Sequence, residues 1–521
     1  MADRRAWLHR LGALLAGLAA GLAHPPFGLL PGLLGYALLL ALLQTDGERP
    51  LRSALLRGWL AGVGYFSVGV WWVVEPFMVD AANQGWMAPF ALVLMAGGLA
   101  LFWGAASLVY RALAPVGDWR VLVFAGALAG FEWLRGHIFT GFPWNLPGET
   151  WAAGSAPSQA ASVLGAYGLT WLTVAIAAAP AVLAGREGHR ARGIAIGLAA
   201  LTLAGLYGFG LARLQQAPAV ATGPLVRIVQ ADIDQKTKWR AENLPAIFQT
   251  YADLSRQPAA RRPEIVIWPE GALPAVIDRL IEPGSPYAPL LRDVVGRDQV
   301  LLMGANRMRT DEAGQAIYHN ALVAFRRDAD GLRVAGIYDK HRLVPFGEFL
   351  PFGSLATKLG IRSLVHMPSD FTPGPEPRPI QMAGAPAFQP LICYEALFPG
   401  FTRQAARRAG VRPAFILNIS NDAWFGVTSG PLQHLNIASY RAIEEGLPIL
   451  RATPTGVSAV IDAMGRIVPG ARLNAGELGV IDQPLPAALR PTLYHQHGDR
   501  IFLFLMAVSL IATVAGRTRR R

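Results

Sequence analysis

The chain contains a single cysteine, Cys393, and few charged residues for its length. One cysteine excludes an intrachain disulfide and any metal site built from a cysteine cluster. Charged residues make up 16% of the 521 residues, whereas a soluble globular chain carries about 25%. There is no internal repeat, no Gly-x-Gly-x-x-Gly pattern and no phosphate-binding loop motif. Much of this chain is therefore expected to avoid water, and no motif indicates a nucleotide cofactor.

The net charge of +12 is by itself compatible with either nucleic acid or anionic lipid as a partner. The positions of the arginines decide between the two. They flank the apolar segments and do not form one basic patch interleaved with aromatic residues. We therefore expect the lipid bilayer as a partner and no nucleic acid.

The apolar residues, 52% of the chain, are unevenly distributed. A transmembrane helix needs about 20 apolar residues, and the segments that approach this length are 6–23, 27–45, 54–75, 86–113, 120–138, 158–184, 191–213 and 500–516. This pattern predicts a multi-span α-helical bundle of about eight transmembrane helices. The expected domains are a transmembrane bundle of about seven spans at 1–213, an extracytoplasmic domain at 220–490 and a C-terminal transmembrane helix at 500–516.

Charge asymmetry predicts the orientation of these spans. Of the connecting loops, one alternating set holds nearly all the arginines: Arg4, Arg5, Arg10, Arg49, Arg52, Arg57, Arg111, Arg120, Arg186, Arg190, Arg192, Arg517, Arg519, Arg520 and Arg521. The short loops of the other set hold only Arg135. Because positive residues are retained in the cytoplasm, both termini are expected to be cytoplasmic, and residues 214–499 to lie on the extracytoplasmic face.

Three features of the bundle allow two interpretations. Residues 1–23 also fit a cleavable signal peptide. The segment 139–148, together with Trp151, is rich in aromatic residues, which fits either an aromatic belt at the outer interface or part of a lipid-binding groove. Glu75 and Glu132 lie near the outer ends of spans, where an interfacial position explains them more simply than a buried relay.

Residues 220–490 alternate between short apolar or β-branched runs and helix-like stretches. Predicted strands are 225–231, 264–268, 299–305, 320–325, 333–338, 387–393, 413–419, 447–452 and 457–462. Predicted helices are 242–256, 286–297, 396–409 and 431–445. This alternation predicts a layered α/β sandwich.

Three segments of this domain place reactive side chains at or just beyond the end of a strand. They are residues 267–270 (Ile-Trp-Pro-Glu), 338–348 (Tyr-Asp-Lys-His-Arg-Leu-Val-Pro-Phe-Gly-Glu) and 391–395 (Leu-Ile-Cys-Tyr-Glu). Strand ends are where α/β folds build their sites. Each reactive residue alone also has an ordinary explanation: a surface ion pair for Glu270, a solvated loop position for Lys340 and a core position for Cys393. Together they form a base, a cation and a nucleophile.

Acyl transfer requires this combination. A thiol near its ordinary pKa of about 8.5 is mostly protonated at neutral pH and needs a base or a cation to become a thiolate. The tetrahedral oxyanion also needs hydrogen-bond donors. Lys340 and the backbone N–H of Tyr394 are candidates, and the latter would be helped by the N-terminus of the helix that follows.

As an ordered set, Trp-Pro-Glu, Lys-x-x-Leu-x-Pro-Phe-Gly-Glu and Cys-Tyr-Glu resemble the Glu-Lys-Cys signature of the nitrilase superfamily. The whole chain is moreover similar to the bacterial apolipoprotein N-acyltransferases, which combine a membrane bundle with a domain of this kind. The resemblance also covers residues 229–239, 418–425 and 492–499 and one closing span.

The resemblance implies a fold and a role for each residue. The fold is an αββα sandwich. Glu270 is implied as general base, Lys340 as oxyanion stabiliser and Cys393 as nucleophile. The implied supporting residues, including one that lines the lipid entrance, are Glu348, Tyr394, Glu395 and Trp239. No metal or cofactor is implied. Residues 142–146 vary from the family pattern, so we assign no substrate contacts there.

The implied reaction transfers an acyl chain from the sn-1 ester of a phospholipid to the N-terminal amine of the diacylglyceryl-cysteine of apolipoproteins, through a Cys393 thioester. The implied partners are the phospholipid donor, the diacylated lipoprotein acceptor and the bilayer. The implied location is the bacterial cytoplasmic membrane, with the catalytic domain on the periplasmic face. The alternative is a membrane-tethered nitrilase-type amidase acting on a small substrate, for which one span would suffice. A transporter or scaffold is a further alternative, but ionisable residues are scarce in the span centres.

The segment between the lysine and cysteine motifs, residues 346–376, has two interpretations. Leu355 and Leu359 share one helical face, with Lys358 and Arg362 on another side. These apolar residues either complete the sandwich core or form a mobile arm that dips into the outer leaflet and gates lipid entry.

Overall fold

A computed structural model describes all residues except 1, 46–48, 114–116, 118, 186–187, 217–222, 330, 352, 354–369 and 519–521. The chain divides into two compact units. The first comprises Met1–Ala217, Leu432–Glu444 and Pro491–Arg521, and the second comprises Pro218–Pro431 and Glu445–Arg490. Leu355 and Leu359, on which the gating interpretation of residues 346–376 depends, lie outside the described residues.

Helices of eight or more residues are numbered here in chain order. They are α1 (Ala2–Leu22), α2 (Leu34–Leu43), α3 (Pro50–Gly69), α4 (Ala88–Leu113), α5 (Trp119–Arg135), α6 (Ala161–Ala178), α7 (His189–Gln215), α8 (Leu244–Arg256), α9 (Tyr287–Val294), α10 (Phe401–Ala409), α11 (Gly430–Glu445) and α12 (Arg500–Thr518). The first unit contains α1–α7, α12 and nearly all of α11.

Each of the eight predicted spans contains one helix, but length and composition support fewer crossings. Within the described residues, three helical segments are long and apolar enough to span a membrane: Ala81–Leu113, Pro157–Ala184 and His189–Gln215. A fourth is added if Pro50–Gly69 and Trp71–Met78, which meet at a bend of 66°, form one span. The apolar helices Leu30–Leu43 and Arg500–Ala515 are shorter. Length and composition therefore do not confirm about eight spans.

Glycines allow helices α1 and α3 to pack at very short distance. A Cβ atom on Gly17 would lie 1.7 Å from the carbonyl oxygen of Ala61, and one on Gly64 would lie 2.3 Å from that of Leu14. Small residues at helix contacts are typical of membrane bundles, because packing replaces the hydrophobic effect that lipid does not supply. The α1–α3 contact thus fits the predicted membrane bundle.

One glutamate and two tryptophans of the first unit are buried with hydrogen-bond partners. Glu132 is fully buried, and it accepts hydrogen bonds from Trp103 Nε1 at 2.7 Å and Arg135 Nε at 3.1 Å. It is therefore buried in an ion pair with Arg135 and not exposed at an interface, contrary to expectation. Trp144 and Trp151 are also buried, and their Nε1 groups donate to Gly69 O and Thr173 Oγ1. These two tryptophans are not members of an exposed aromatic belt.

The second unit contains two six-stranded sheets. The strands are β1 (Leu225–Gln230), β2 (Ile265–Trp268), β3 (Val300–Thr310), β4 (Ala316–Asp328), β5 (Gly331–Asp339), β6 (Ile380–Met382), β7 (Ala385–Ile392), β8 (Phe415–Ile419), β9 (Ile449–Ala452), β10 (Ser458–Ile461), β11 (Ile467–Leu473) and β12 (Gly479–Pro484). The strand orders are β12-β1-β2-β3-β4-β5 and β11-β10-β9-β8-β7-β6.

Side chains of the first sheet alternate between its two faces, and both faces are buried. Ile265 and Ile267 of β2 enter a core shared with Phe388, Phe415 and other residues of the second sheet. Val266 and Trp268 point the other way, into a core with the residues of helices α8 and α9. Successive strand residues face opposite sides, so an unbroken apolar run such as 265–268 fits a strand covered on both faces. The predicted layered α/β sandwich is confirmed.

Candidate active site

The strand directions bring the ends of four strands to the site. In the first sheet β2 is parallel to β3, and β4 is antiparallel to both β3 and β5. Strands β2 and β5 therefore run in the same direction, and Glu270 and Lys340, which follow them, leave the same sheet edge. In the second sheet β7 and β8 are parallel, which brings Cys393 beside the residues that follow β8.

Lys340 lies at the centre of the charged cluster. Its side chain is 1% exposed. Its Nζ lies 2.9 Å from both Glu348 carboxylate oxygens and 3.6 Å from Oε1 of Glu270. Burial alone lowers the pKa of Lys340, but the carboxylates of Glu348 and Glu270 outweigh it and raise the pKa above the ordinary lysine value. Lys340 is therefore a permanent cation, suited to stabilising negative charge and not to accepting a proton.

Asn320 in strand β4 joins the two carboxylates that face this lysine. Its Nδ2 donates to Glu270 Oε1 at 2.6 Å and to Glu348 Oε1 at 2.7 Å. Its carbonyl oxygen accepts from the backbone N–H of Lys340 at 2.8 Å. The side-chain amide of Asn320 thus fixes both carboxylates, because hydrogen bonds to charged groups are stronger than neutral ones, while its main-chain carbonyl holds the backbone of Lys340.

Glu270 receives a further hydrogen bond from the second sheet. Its Oε2 accepts the backbone N–H of Asn421, just beyond β8, at 2.5 Å. The residue is 7% exposed. The carboxylate is therefore held by the side-chain amide of Asn320 within β4 and by the backbone N–H of Asn421 just beyond β8, which is the fixed position that a general base needs.

Cys393 directly follows β7 and has a left-handed backbone, with φ of +50°. A non-glycine residue with this φ is strained by about 1–3 kcal/mol, and such strain is concentrated at functional sites. Burial raises the pKa of the Cys393 thiol; the Glu270 carboxylate raises it further, while Lys340 acts in the opposite direction. The resting thiol is therefore protonated and faces both a base and a cation.

Residues 418–422 support the cysteine from strand β8. The Cys393 thiol and Ser420 are hydrogen-bonded, and Ser420 Oγ donates to Asp422 Oδ1 at 2.7 Å. Asp422 is itself paired with the fully buried Arg451 at 2.5 Å. The hydrogen bond with Ser420 lowers the pKa of the Cys393 thiol, in the same direction as Lys340 and against burial. The sequence similarity included this segment but gave it no role.

Glu395 holds the backbone around the site. It is fully buried, and burial raises its pKa. Its Oε1 accepts from Tyr338 Oη at 2.8 Å and from the N–H groups of His341 and Arg342 at 2.8 and 3.1 Å, and its Oε2 accepts from Ile392 N at 2.8 Å. Glu395 thus fastens the lysine loop to the cysteine loop, whereas Glu348 contacts Lys340 directly.

Tyr394 and Trp239, the remaining predicted residues, have different surroundings. Tyr394 is buried, and its ring packs edge-to-face on Phe398 at 5.1 Å. Trp239 is 51% exposed, as a residue at an entrance would be. The helix that begins at Cys393 is a 3₁₀ helix of five residues ending at Leu397. The expected helix-dipole contribution at the N–H of Tyr394 is therefore small, because the dipole arises from many aligned peptides.

The described residues thus bring Glu270, Lys340, Cys393 and Glu348 into one buried cluster, with Glu395 behind it. Two residues that sequence reasoning missed, Asn320 and Asn421, hold Glu270. Asn320 is the first residue of the predicted strand 320–325, and a polar residue at the start of this apolar run was the signal available. Asn421 acts through its backbone, which no side-chain pattern reports.

Residues 16–179 match the family model for the apolipoprotein N-acyltransferase N-terminal domain, and residues 225–492 match the carbon-nitrogen hydrolase model. The apolipoprotein N-acyltransferase of Caulobacter vibrioides is 57% identical over 519 residues, which are 99% of this chain and 96% of that protein. The chain belongs to the apolipoprotein N-acyltransferase family. The family member of Brucella melitensis is 39% identical over 98% of this chain and 96% of its own length.

Membership of the apolipoprotein N-acyltransferase family and the carbon-nitrogen hydrolase match confirm the nitrilase-superfamily prediction. Among solved structures, an amidase from Nesterenkonia sp. aligns with 56% of this chain and 98% of its own, at 19% identity and a TM-score of 0.34. The carbon-nitrogen hydrolase match spans every cluster residue named above. The buried cluster therefore lies in the part of the chain that this family shares with carbon-nitrogen hydrolases.

Proposed function

We propose that the protein is an apolipoprotein N-acyltransferase that moves an acyl chain from the sn-1 ester of a membrane phospholipid to the N-terminal amine of a diacylated lipoprotein. The observation that carries this proposal is the buried cluster of Glu270, Lys340 and Cys393, in a chain that matches the family over its whole length. The bilayer, the phospholipid donor and the lipoprotein acceptor are then its partners, and the bacterial cytoplasmic membrane is its location.

In the first step Glu270 takes the thiol proton, and the sulfur of Cys393 attacks the ester carbonyl carbon. Lys340 and the N–H of Tyr394 stabilise the resulting oxyanion. The bond between the carbonyl carbon and the glycerol oxygen then breaks. Glu270 returns the proton to that oxygen, so a lysophospholipid leaves and a thioester remains. Burial and the Glu270 charge disfavour a free thiolate, so proton removal is coupled to attack.

In the second step the α-amine of the acceptor attacks the thioester. Glu270 receives a proton from the attacking nitrogen, the carbon–sulfur bond breaks, and the proton returns to the sulfur. The product is an amide, and the enzyme regains its initial state. Both substrates are lipid-anchored, so confinement to the membrane raises their effective concentration at the site.

The test of this proposal is the intact mass of the purified full-length protein after incubation with phosphatidylglycerol of one defined acyl composition. We expect an adduct of one acyl chain, which peptide mapping places on Cys393 and which disappears when a diacylated lipopeptide is added. An adduct removed equally fast by water alone would favour the amidase alternative. Absence of any adduct from phospholipid would refute the proposed donor.

Replacing Lys340 with methionine is expected to slow thioester formation by roughly 100- to 1,000-fold, the usual effect of losing one oxyanion stabiliser. Since Lys340 lowers the pKa of Cys393, its loss raises that pKa further, so the remaining rate should increase only at more alkaline pH. The measurement is acyl-adduct formation against pH. The double variant Lys340→Met/Glu348→Gln controls for the carboxylate that methionine leaves unpaired, and acylation at the normal rate in either variant would contradict the role.

We propose the topology that charge asymmetry predicts: about eight spans, both termini cytoplasmic, and the catalytic domain periplasmic. Two positions among the described residues are suited to testing this topology. Ala313 is exposed in the turn between β3 and β4, and Gly188 is exposed just before α7. Gly188 has an ordinary φ of −66° and open space around it, so a cysteine fits at either position.

In a Cys393→Ser background, Ala313→Cys should react with a membrane-impermeant thiol reagent in cells whose outer membrane is permeable. Gly188→Cys, the matched control on the arginine-rich side, should react only after the cytoplasmic membrane is broken. The measurement is the labelled fraction before and after lysis. The opposite pattern at the two positions would refute the orientation.

Two predictions about lipid access remain proposals. Trp239, half-exposed beside the cluster, is a candidate for the lipid entrance. Within residues 346–376, Phe346 is 60% exposed and has a φ of +62°, whereas Leu350 is buried. The described part of this segment thus contains both a core residue and an exposed aromatic residue, as an arm anchored at its base would.

A further inference from the structure

A second lysine is buried beside the catalytic cluster. Lys238 is the last residue of the short helix Gln235–Lys238 and is 1% exposed. Its Nζ makes no hydrogen bond with any residue that the structure describes. A buried ammonium without a hydrogen-bond partner is costly.

Three neighbours locate the Lys238 ammonium. It lies 5.4 Å from the centre of the Trp239 ring. It would lie 3.7 Å from a Cβ atom built on Gly271, the residue that follows the general base. Burial lowers the pKa of Lys238 to about 8, and Glu270 opposes that shift. The ammonium thus lies next to Glu270 without forming an ion pair with it.

Gln235 adds a second unused donor on the same side. Residues three apart share one face of a helical turn. Gln235 is buried, and its Nε2 also lacks a partner among the described residues. Its Oε1 accepts from Asn421 Nδ2 at 3.3 Å, and the backbone of Asn421 holds Glu270. Two unmatched donors, one of them charged, therefore border the base.

The chemistry of the two substrates decides which of their groups these hydrogen-bond donors bind. The acceptor presents an amine that is protonated in part at neutral pH, which a lysine would repel. The phospholipid, which is the acyl donor, carries one formal negative charge near its reactive ester. This charge is on the phosphodiester attached to the same glycerol. That group lies a few bonds from the sn-1 carbonyl, and its oxygens are strong acceptors for a charged donor.

We propose that Lys238 and Gln235 form a subsite that binds the phosphodiester of the phospholipid donor. This inference rests on the proposed function. Binding the phosphate orients the glycerol so that the sn-1 carbonyl meets Cys393 and the leaving oxygen meets Glu270. It also raises the pKa of Lys238, because an anion favours the charged form. The subsite acts in the first step only, since the lysophospholipid carries the phosphate away.

The experiment compares two acyl donors with the same chain on the full-length protein: phosphatidylglycerol and a neutral p-nitrophenyl ester. The readout is the rate of acyl-adduct formation on Cys393. Lys238→Met should slow acylation from phosphatidylglycerol by roughly 10- to 100-fold, the expected effect of one hydrogen bond to a charged group, and change the p-nitrophenyl rate less than about threefold. Lys238→Arg should recover part of the loss. Lys236→Met, at an exposed lysine on the same short helix, is the matched control.

Equal losses with both donors would overturn the subsite, because Lys238 would then act on Glu270 or on folding. No loss with either donor would overturn it as well. Because inorganic phosphate competes for such a subsite, about 1 mM phosphate should slow the phosphatidylglycerol reaction of the unaltered protein and leave the p-nitrophenyl reaction unchanged; equal inhibition of both reactions would place the phosphate elsewhere and overturn the subsite. If the unaltered protein is acylated by the neutral ester but never by phosphatidylglycerol, the proposed function itself fails, an outcome distinct from the others.

Discussion

Replacing Cys393 with serine is expected to abolish acyl transfer, with a loss of at least about 1,000-fold, while the protein still inserts and folds. A serine hydroxyl is nearly the same size as a thiol but is far less acidic and less nucleophilic. The site increases the difference, because burial and Glu270 already raise the pKa of the group at this position. The measurement is transfer of a labelled acyl chain from phosphatidylglycerol to a diacylated lipopeptide.

The serine variant should keep the fold because both side chains meet the same backbone requirement. The φ of +50° at residue 393 is equally unfavourable for cysteine and serine, so the exchange adds no strain. The thermal midpoint of the purified variant should therefore lie within about 4 °C of the original, which corresponds to roughly 1 kcal/mol or less. Near-normal acyl transfer by Cys393→Ser would make the cysteine a structural residue and remove the nucleophile from the proposal.

Nine of the twelve strands among the described residues could be predicted from the sequence, and the three that were missed share a cause. Strands β6, β11 and β12 all lie at sheet edges. Pro469 and Gly470 interrupt the apolar run of β11, and β12 ends at Pro484. Edge strands tolerate proline and polar residues, since one side of the strand forms no ladder. The periodic signal that identifies central strands is therefore weakest there.

The predicted helix at 396–409 was too long at its start. The structure has a 3₁₀ helix at Cys393–Leu397 and then α10 from Phe401. Gly400, at a φ of +76°, separates them. In the sequence, the helical spacing of apolar residues continues across this break. The turn that separates the two helices depends on a single glycine. The number of membrane crossings is uncertain from hydropathy for another reason: it finds apolar segments, but the apolar helices Leu30–Leu43 and Arg500–Ala515 are short for a span.

Reactive residues were predictable where a motif joined them to a strand end, and the residues that orient them were not. Glu348 and Glu395 look alike in sequence, each a glutamate near a reactive residue. The structure separates them, because Glu348 faces the Lys340 ammonium and Glu395 accepts mainly backbone N–H groups. Lys238 belongs to no catalytic segment, and only its burial without a partner singles it out. Such distinctions depend on direction and burial, which neither composition nor spacing reports.

Replacing Glu270 with glutamine is the second change with a large expected effect, a loss of roughly 100- to 10,000-fold in thioester formation, typical of removing a general base. Glutamine has the same shape, and its oxygen can still accept from Asn320, but it cannot take the proton from sulfur. The matched control is Glu264→Gln, an exposed residue just before the start of the same strand β2. That variant should form the acyl adduct at the normal rate.

A second measurement distinguishes whether Glu270 acts as a base or only as a counter-ion of Lys340. The Glu270 carboxylate raises the pKa of Cys393, so removing its charge lowers that pKa and makes the thiol ionise at lower pH. In Glu270→Gln, alkylation of Cys393 by iodoacetamide should therefore begin at lower pH, while acylation by phospholipid becomes slower. Because alkylation needs only the thiolate, whereas ester exchange also needs the proton delivered to the glycerol oxygen, the two rates must change in opposite directions. If both rates rise together, Glu270 merely restrains the thiol, and the base is another group.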